Sequence, residues 1–154
     1  MIGYEDIVKS KKRIGKYISE TPLDYSIGLS NENTQVFLKL ESQQKQKAFK
    51  VRGALSKLSS LTDEEKSKGV VAVSSGNHGA GVSYAAYLLG IQNAKVFVPE
   101  TAPKAKVDRI RYYGADVVQI GKNYDEAHAI AMEQIKMNDM TYIDSCSDEQ
   151  LIAG

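Results

Sequence analysis

VVAVSSGNHGAG, Val70 to Gly81, decides how this chain reads. An apolar, β-branched run ends in two serines. A Gly-Asn-His-Gly turn follows, and then small residues that suit the opening of a helix. The run VVAV lacks the polar alternation of a half-exposed strand, so it is expected to be covered on both faces.

Moving outward, the same unit recurs. Downstream, GVSYAAYLLG reads as a helix closed by Gly90, AKVFVPE as a strand, and PKAKVDRIRYYG as a helix with Pro103 near its start and Gly114 past its end. ADVVQIG is a strand, Asp125 to Met137 a helix and TYIDSC a strand. Upstream, AFKVRGALSKLSSL has Phe49, Ala54, Leu55, Leu58 and Leu61 at helical spacing, and Thr62 with Glu65 forms a capping-box pattern. Gly3 to Ile18 predicts a helix, broken by ETPLDYS. QVFLKLE, Gln35 to Glu41, predicts a strand, and ESQQKQK an irregular segment. Ser147 is expected to cap a helix beginning in SDEQLIAG. Strands alternating with helices predict βαβ units: an α/β fold with a three-layer parallel sheet flanked by helices.

Composition excludes several function classes. The chain has 154 residues, 42% hydrophobic and 25% charged, with a net charge of +1. No strong field favours nucleic acid or an anionic membrane. Cys146 is the lone cysteine, and His78 and His128 are far apart, so no metal-ligand spacing exists. The opening MIGYEDIVKSKKRIGKY lacks the apolar core of a secretion signal, and no apolar run approaches a membrane span. A cytoplasmic location is expected.

Two stretches carry chemistry. SSGNHG lies where ligands of open parallel sheets bind, beyond the carboxyl end of a strand. Its glycines admit close approach of a ligand, and the following helix start favours an anion. A polar turn with a serine cap is the alternative. The glycines run G-x-x-G-x-G, which matches neither a dinucleotide fingerprint nor a Walker loop. His78 suits a structural role as well as a chemical one. The second stretch sets Lys50 in the first turn of an amphipathic helix among Ala48, Phe49, Val51 and Ala54, with Lys45, Lys47 and Arg52 close by. Such surroundings favour the amine form and Schiff-base chemistry. A solvated surface lysine is the alternative.

Taken together, FKVRGA (Phe49–Ala54) and SSGNHGAGVSYAA (Ser74–Ala86) resemble the threonine dehydratase and serine racemase family. These are pyridoxal-phosphate (PLP) enzymes of the tryptophan-synthase-β type, fold type II. TPL at Thr21 to Leu23, KLE at Lys39 to Glu41, Gln44 and the block VPETAPKAKVDRIRYYGADVV are similar to that family too. The resemblance implies a lyase that converts L-threonine or L-serine to a 2-oxo acid and ammonia through an aminoacrylate. It equally allows an amino-acid racemase; a truncated, non-catalytic binding module is the reading outside catalysis. Lys50 is then the lysine that holds PLP and moves the Cα proton, and Phe49 packs near the cofactor. Asn77 bonds the cofactor's ring hydroxyl. Ser75, Gly76, His78 and Gly79 grip the substrate carboxylate, and Ser75 is the base on the opposite face in racemases.

The chain departs from that pattern in places. Gln46-Lys47-Ala48 stands where the family has Thr-Gly-Ser, and Ser42-Gln43 where it has Asn-Leu. The family's glycine-rich phosphate loop has no counterpart in this sequence. Residues 47–146 are expected to form the small α/β domain. Residues 1–46 are expected to be the helix and strand of an incomplete large domain, and 147–154 the start of the return to it. The fragment is expected to be inactive alone and to associate, as a homo-oligomer or through an uncovered apolar face.

Overall fold

The computed structural model describes all residues, Met1 to Gly154. VVAV forms the central strand that the sequence predicts. In chain order the elements are α1 (Tyr4–Ile14), β1 (Leu23–Tyr25), β2 (Phe37–Lys39), α2 (Lys50–Ser60), α3 (Asp63–Lys68) and β3 (Val70–Val73). Then come α4 (Asn77–Leu89), β4 (Ala94–Val98), α5 (Lys104–Arg111), β5 (Asp116–Gln119), α6 (Tyr124–Asn138), β6 (Thr141–Tyr142) and α7 (Glu149–Ile152).

The main sheet is wholly parallel, in the order β5-β4-β3-β6. Alternate residues of its strands go to opposite faces. Val70, Ala72, Val96, Val98 and Val117 pack with apolar residues of α2, α4 and α5 in one core. Val71, Val73 and Phe97 pack with Ala127 and Ala131 of α6 in another. These are the three expected layers, and they explain why β3 needs an unbroken apolar run: all of its residues are buried.

The strand order has a consequence for function. From β3 the chain winds outward through β4 to β5, then α6 carries it back across the other face to β6, beside β3. The winding reverses between β3 and β6. In open α/β sheets such a reversal parts the loops beyond the carboxyl ends of the two strands and leaves a crevice there.

Several boundaries differ from the sequence reading. The first helix stops at Ile14, with Gly15 as its cap, rather than running to Ile18. TPLDYS is not merely a break: Leu23–Tyr25 forms β1 and pairs antiparallel with β2, so β2 already has a partner. β2 spans only Phe37–Lys39, and both strands are exposed throughout. Propensity at a proline masked a pairing that only the folded chain brings about. At the other end Asp148, not Ser147, caps α7 by accepting from the Leu151 N–H at 3.0 Å. The Ser147 hydroxyl instead donates to Asp144. The Thr62–Glu65 capping box forms as expected at the start of α3.

Candidate functional site

The loop after β3 is built from local bonds. Ser74 donates its N–H to the Phe97 carbonyl at 2.9 Å, the last tie to β4. Its hydroxyl then accepts the Gly76 N–H at 3.1 Å, which tightens the turn. Gly76 stands at the cap of α4 and offers no side chain there. The N–H groups of Asn77, His78 and Gly79 are therefore left without partners at the positive end of a 13-residue helix. Ser75 and Asn77 make no side-chain hydrogen bond within the chain, and Asn77 is exposed.

The glycines have different duties. A Cβ on Gly76 would meet nothing nearer than the Ser74 hydroxyl at 3.9 Å, so this position is open to a ligand. A Cβ on Gly79 would lie 2.5 Å from the Ser74 carbonyl and 3.0 Å from Val96. On Gly81 it would lie 3.3 Å from the Lys50 carbonyl. Clearance for a ligand holds for Gly76 only; Gly79 and Gly81 are bare so that α4 can press against β4 and α2.

That close contact brings Lys50 to the loop. Lys50 opens α2 and is half-buried; its ammonium makes no salt bridge or hydrogen bond within the chain. It sits 5.2 Å from the centre of the Phe49 ring, a cation–π arrangement in which Phe49 remains 59% exposed. A cavity of about 220 Å³ is lined by Phe49, Lys50, Ser145 and Leu151, among others. A second, of about 230 Å³, is lined by Gly76, Asn77, Ala80, Lys106 and Arg109. Of the expected site residues, Phe49 and Lys50 line the first, Gly76 and Asn77 the second, and Ser75, His78 and Gly79 neither.

His78 is the buried member of the group, only 5% exposed. Its Nε2 lies 3.0 Å from the Ile143 carbonyl, just after β6. A carbonyl only accepts, so Nε2 carries the proton and Nδ1 is bare; Nδ1 is buried without a partner. Burial lowers the pKa of the ring from its ordinary value, and the nearby Lys50 charge adds to this. The Ile143 bond and Asp144 oppose it. Of His78, the backbone N–H alone is left to meet an anion.

Residues that the resemblance marked without a role turn out to clamp the N-terminal segment to α2. Glu41 accepts two hydrogen bonds from Arg52, at 2.7 and 2.8 Å, and one from Thr21 at 2.6 Å. Arg52 is the main cause that holds its carboxyl down to about 2. Gln44, 1% exposed, accepts from the Ser19 N–H and donates to the Ser19 carbonyl. The departing segment folds tightly too: Gln46 and Lys47 have φ of 65° and 55°, in the left-handed region. Gln46 accepts from Arg109 at 3.1 Å. Sequence reasoning missed Ile143 to Ser145 as a wall of the site, and Lys106 and Arg109 as lining. TYIDSC was readable as a strand, but its place beside β3 is a matter of strand order, which no local signal carries.

A parallel sheet with a lysine-bearing helix against a glycine loop at the switch point defines a class, and the comparisons agree. The family described as pyridoxal-phosphate dependent enzyme matches residues 14–154, and the chain belongs to that family. The catabolic L-threonine dehydratase TdcB of Staphylococcus aureus (strain USA300) is 44% identical over 156 aligned residues, covering all of this chain and 45% of that protein. The serine racemase of Dictyostelium discoideum superposes with a TM-score of 0.88 at 38% identity, over 97% of this chain and 49% of the other. The processed form of threonine deaminase isoform 2 from Solanum lycopersicum gives 0.87 and 33%, over 99% and 44%. The chain spans about half the length of these relatives.

The residues present fit the cofactor that the family name carries. Lys50, with an unpaired side chain, opens α2; Asn77, with a free amide, and Gly76, with unfilled space, stand at the start of α4, which packs on α2 and favours an anion. Lys50 would hold the PLP carbonyl carbon, and Asn77 its ring hydroxyl.

Proposed function

We propose that this chain supplies the lysine-bearing part of a PLP-dependent ammonia-lyase that converts L-threonine or L-serine to a 2-oxo acid and ammonia. One observation carries the reading. The unpaired Lys50 amine opens a helix packed against α4, whose first-turn N–H groups are unpaired at the switch point. The identity to a threonine dehydratase over the whole chain supports the substrate class.

Bound PLP supplies an electron sink for the charge that develops at the substrate Cα. The chain's own residues do the rest. The N–H groups of Asn77, His78 and Gly79, with Ser75 and Gly76, hold the substrate carboxylate and thereby aim the Cα–H bond. The Lys50 amine takes the Cα proton. The β-hydroxyl leaves as water, and hydrolysis of the C–N bond consumes one water and releases ammonia. Phe49 shields the lysine from solvent on one side. Residues 1–46 and 147–154 belong to a second body whose remainder lies in the part of the relatives this chain does not match. The separate, exposed β1–β2 hairpin supports that division, while Ile14 and Leu151 mark the seam, packed in one core with α2 and α4.

Racemisation is the second reading. Ser75 has a hydroxyl without an internal partner, suited to deliver a proton to the opposite face of Cα, and a serine racemase is among the similar structures. The deciding test is chemical. The protein is mixed with PLP and reduced with borohydride, and the label is mapped by mass spectrometry. Selective labelling of Lys50 over Lys45 and Lys47 is the expected result; uniform labelling of lysines overturns the proposal. Assays of 2-oxo acid and of D-serine, with and without the complementing part of a relative, then separate lyase from racemase.

A further inference from the structure

His78 is held in a way that the carboxylate grip does not require. Residues 75–79 reach another element by one hydrogen bond alone, from the His78 Nε2–H to the Ile143 carbonyl at 3.0 Å. Every other bond of the loop is to itself or to its own helix. Ile143 follows β6, the strand on the far side of the switch point, and the adjoining Ser145 lines the Lys50 cavity. One imidazole therefore ties together the two walls between which a ligand would lie.

We infer that His78 is the positioning residue of this site: its ring straps the Ser75–Asn77 loop to the end of β6 and so sets the loop's aim toward Lys50. The inference rests on the functional reading above for its ligand, but the strap itself does not. A loop pinned at one point swings about that point when the bond is lost. The cost then falls on substrate binding and orientation rather than on proton transfer. The strap needs a proton on Nε2, because the Ile143 carbonyl can only accept. Burial and the Lys50 charge on α2 favour the neutral ring; the Ile143 carbonyl fixes the proton on Nε2 but opposes neutrality. Asp144, beyond β6, is the charged group that opposes it.

The test has a kinetic and a spectroscopic arm. In the PLP-loaded, complemented protein, His78→Leu removes the donor, and His78→Gln keeps an N–H donor at a reach close to that of Nε2. The expected result is a rise of about tenfold in KM for the amino acid in His78→Leu, with kcat changed by less than about threefold. His78→Gln recovers most of the loss. A purely structural role would lower the folded fraction, and hence kcat, without moving KM. The second arm needs no turnover. In 15N-histidine NMR of the wild-type chain, His78 is expected to be protonated at Nε2 and bare at Nδ1, and Lys50→Met is expected to raise its pKa. An unchanged KM in a folded His78→Leu, or a neutral ring with its proton on Nδ1, overturns the inference. Should His78→Leu fail to fold, the NMR arm decides. Failure of PLP to label Lys50 would remove the functional reading and leave the strap to be judged by NMR.

Discussion

Glu41 shows what a single side chain contributes to this fold. Two bonds from Arg52 and one from Thr21 hold its carboxyl at about 2, against an ordinary value near 4.5. A lowered folded pKa means stability that is present above the ordinary value and lost as pH falls toward 2. His78 acts in the same sense: its ring is kept neutral by burial, so acid favours the unfolded chain from its ordinary value of 6.5 downward. Glu41→Gln is expected to cost about 2 kcal/mol at neutral pH. It should also flatten the fall in stability between pH 4.5 and 2, read from urea midpoints across that range. A second residue-scale prediction concerns Lys47, at φ 55°. Side chains pay for that conformation and glycine does not, so Lys47→Gly is expected to raise stability by about 0.5 kcal/mol in thermal unfolding. The resemblance placed a glycine at this position; the backbone explains why one suits it.

At the level of elements, the glycines separate steric duty from ligand duty. Gly79→Ala drives a Cβ to within 2.5 Å of the Ser74 carbonyl, and Gly53→Ala one to within 2.6 Å of the Leu151 carbonyl. Each is expected to cost about 2 kcal/mol, the first by parting α4 from β3 and β4, the second by lifting α7 from α2. Gly76→Ala meets open space and should leave the unfolding midpoint within about 0.5 kcal/mol of wild type while weakening ligand binding. Much of this level was legible beforehand. The β3–α4–β4–α5–β5 succession followed from apolar runs, Pro103, Gly90 and Gly114. The Thr62–Glu65 box placed the start of α3. What escaped reading was non-local. β1 exists because β2 lies opposite it, and Asp148 caps α7 in preference to Ser147 because Asp144 has already engaged the serine. The site was half legible: Lys50 and the Ser75–Gly79 loop stood out by their residue types. Ile143, Lys106 and Arg109 are ordinary residues made relevant by strand order and helix packing.

For the molecule as a whole, the hairpin is the exposed apolar feature. Leu23, Tyr25, Phe37 and Leu38 are 62%, 49%, 52% and 40% exposed, and Tyr25 and Phe37 meet edge to face. Apolar strands left open in this way promote association. Light scattering of the chain is expected to show concentration-dependent oligomers, and the double change Leu23→Lys with Phe37→Lys to shift them toward monomer. No helix is long and apolar enough to cross a membrane.

The bond from His78 to Ile143 joins residues 65 apart in sequence, and β6 is the last strand in chain order. Contacts of such separation form late, because the intervening chain must first be closed into a loop. During synthesis the loop after β3 is complete long before its strap exists. Until β6 is made, residues 75–79 of the loop lack their one hydrogen bond to another element. A nascent chain trapped before residue 141 is therefore expected to lack the strap, seen as a His78 ring without the Ile143 hydrogen bond in 15N-histidine NMR.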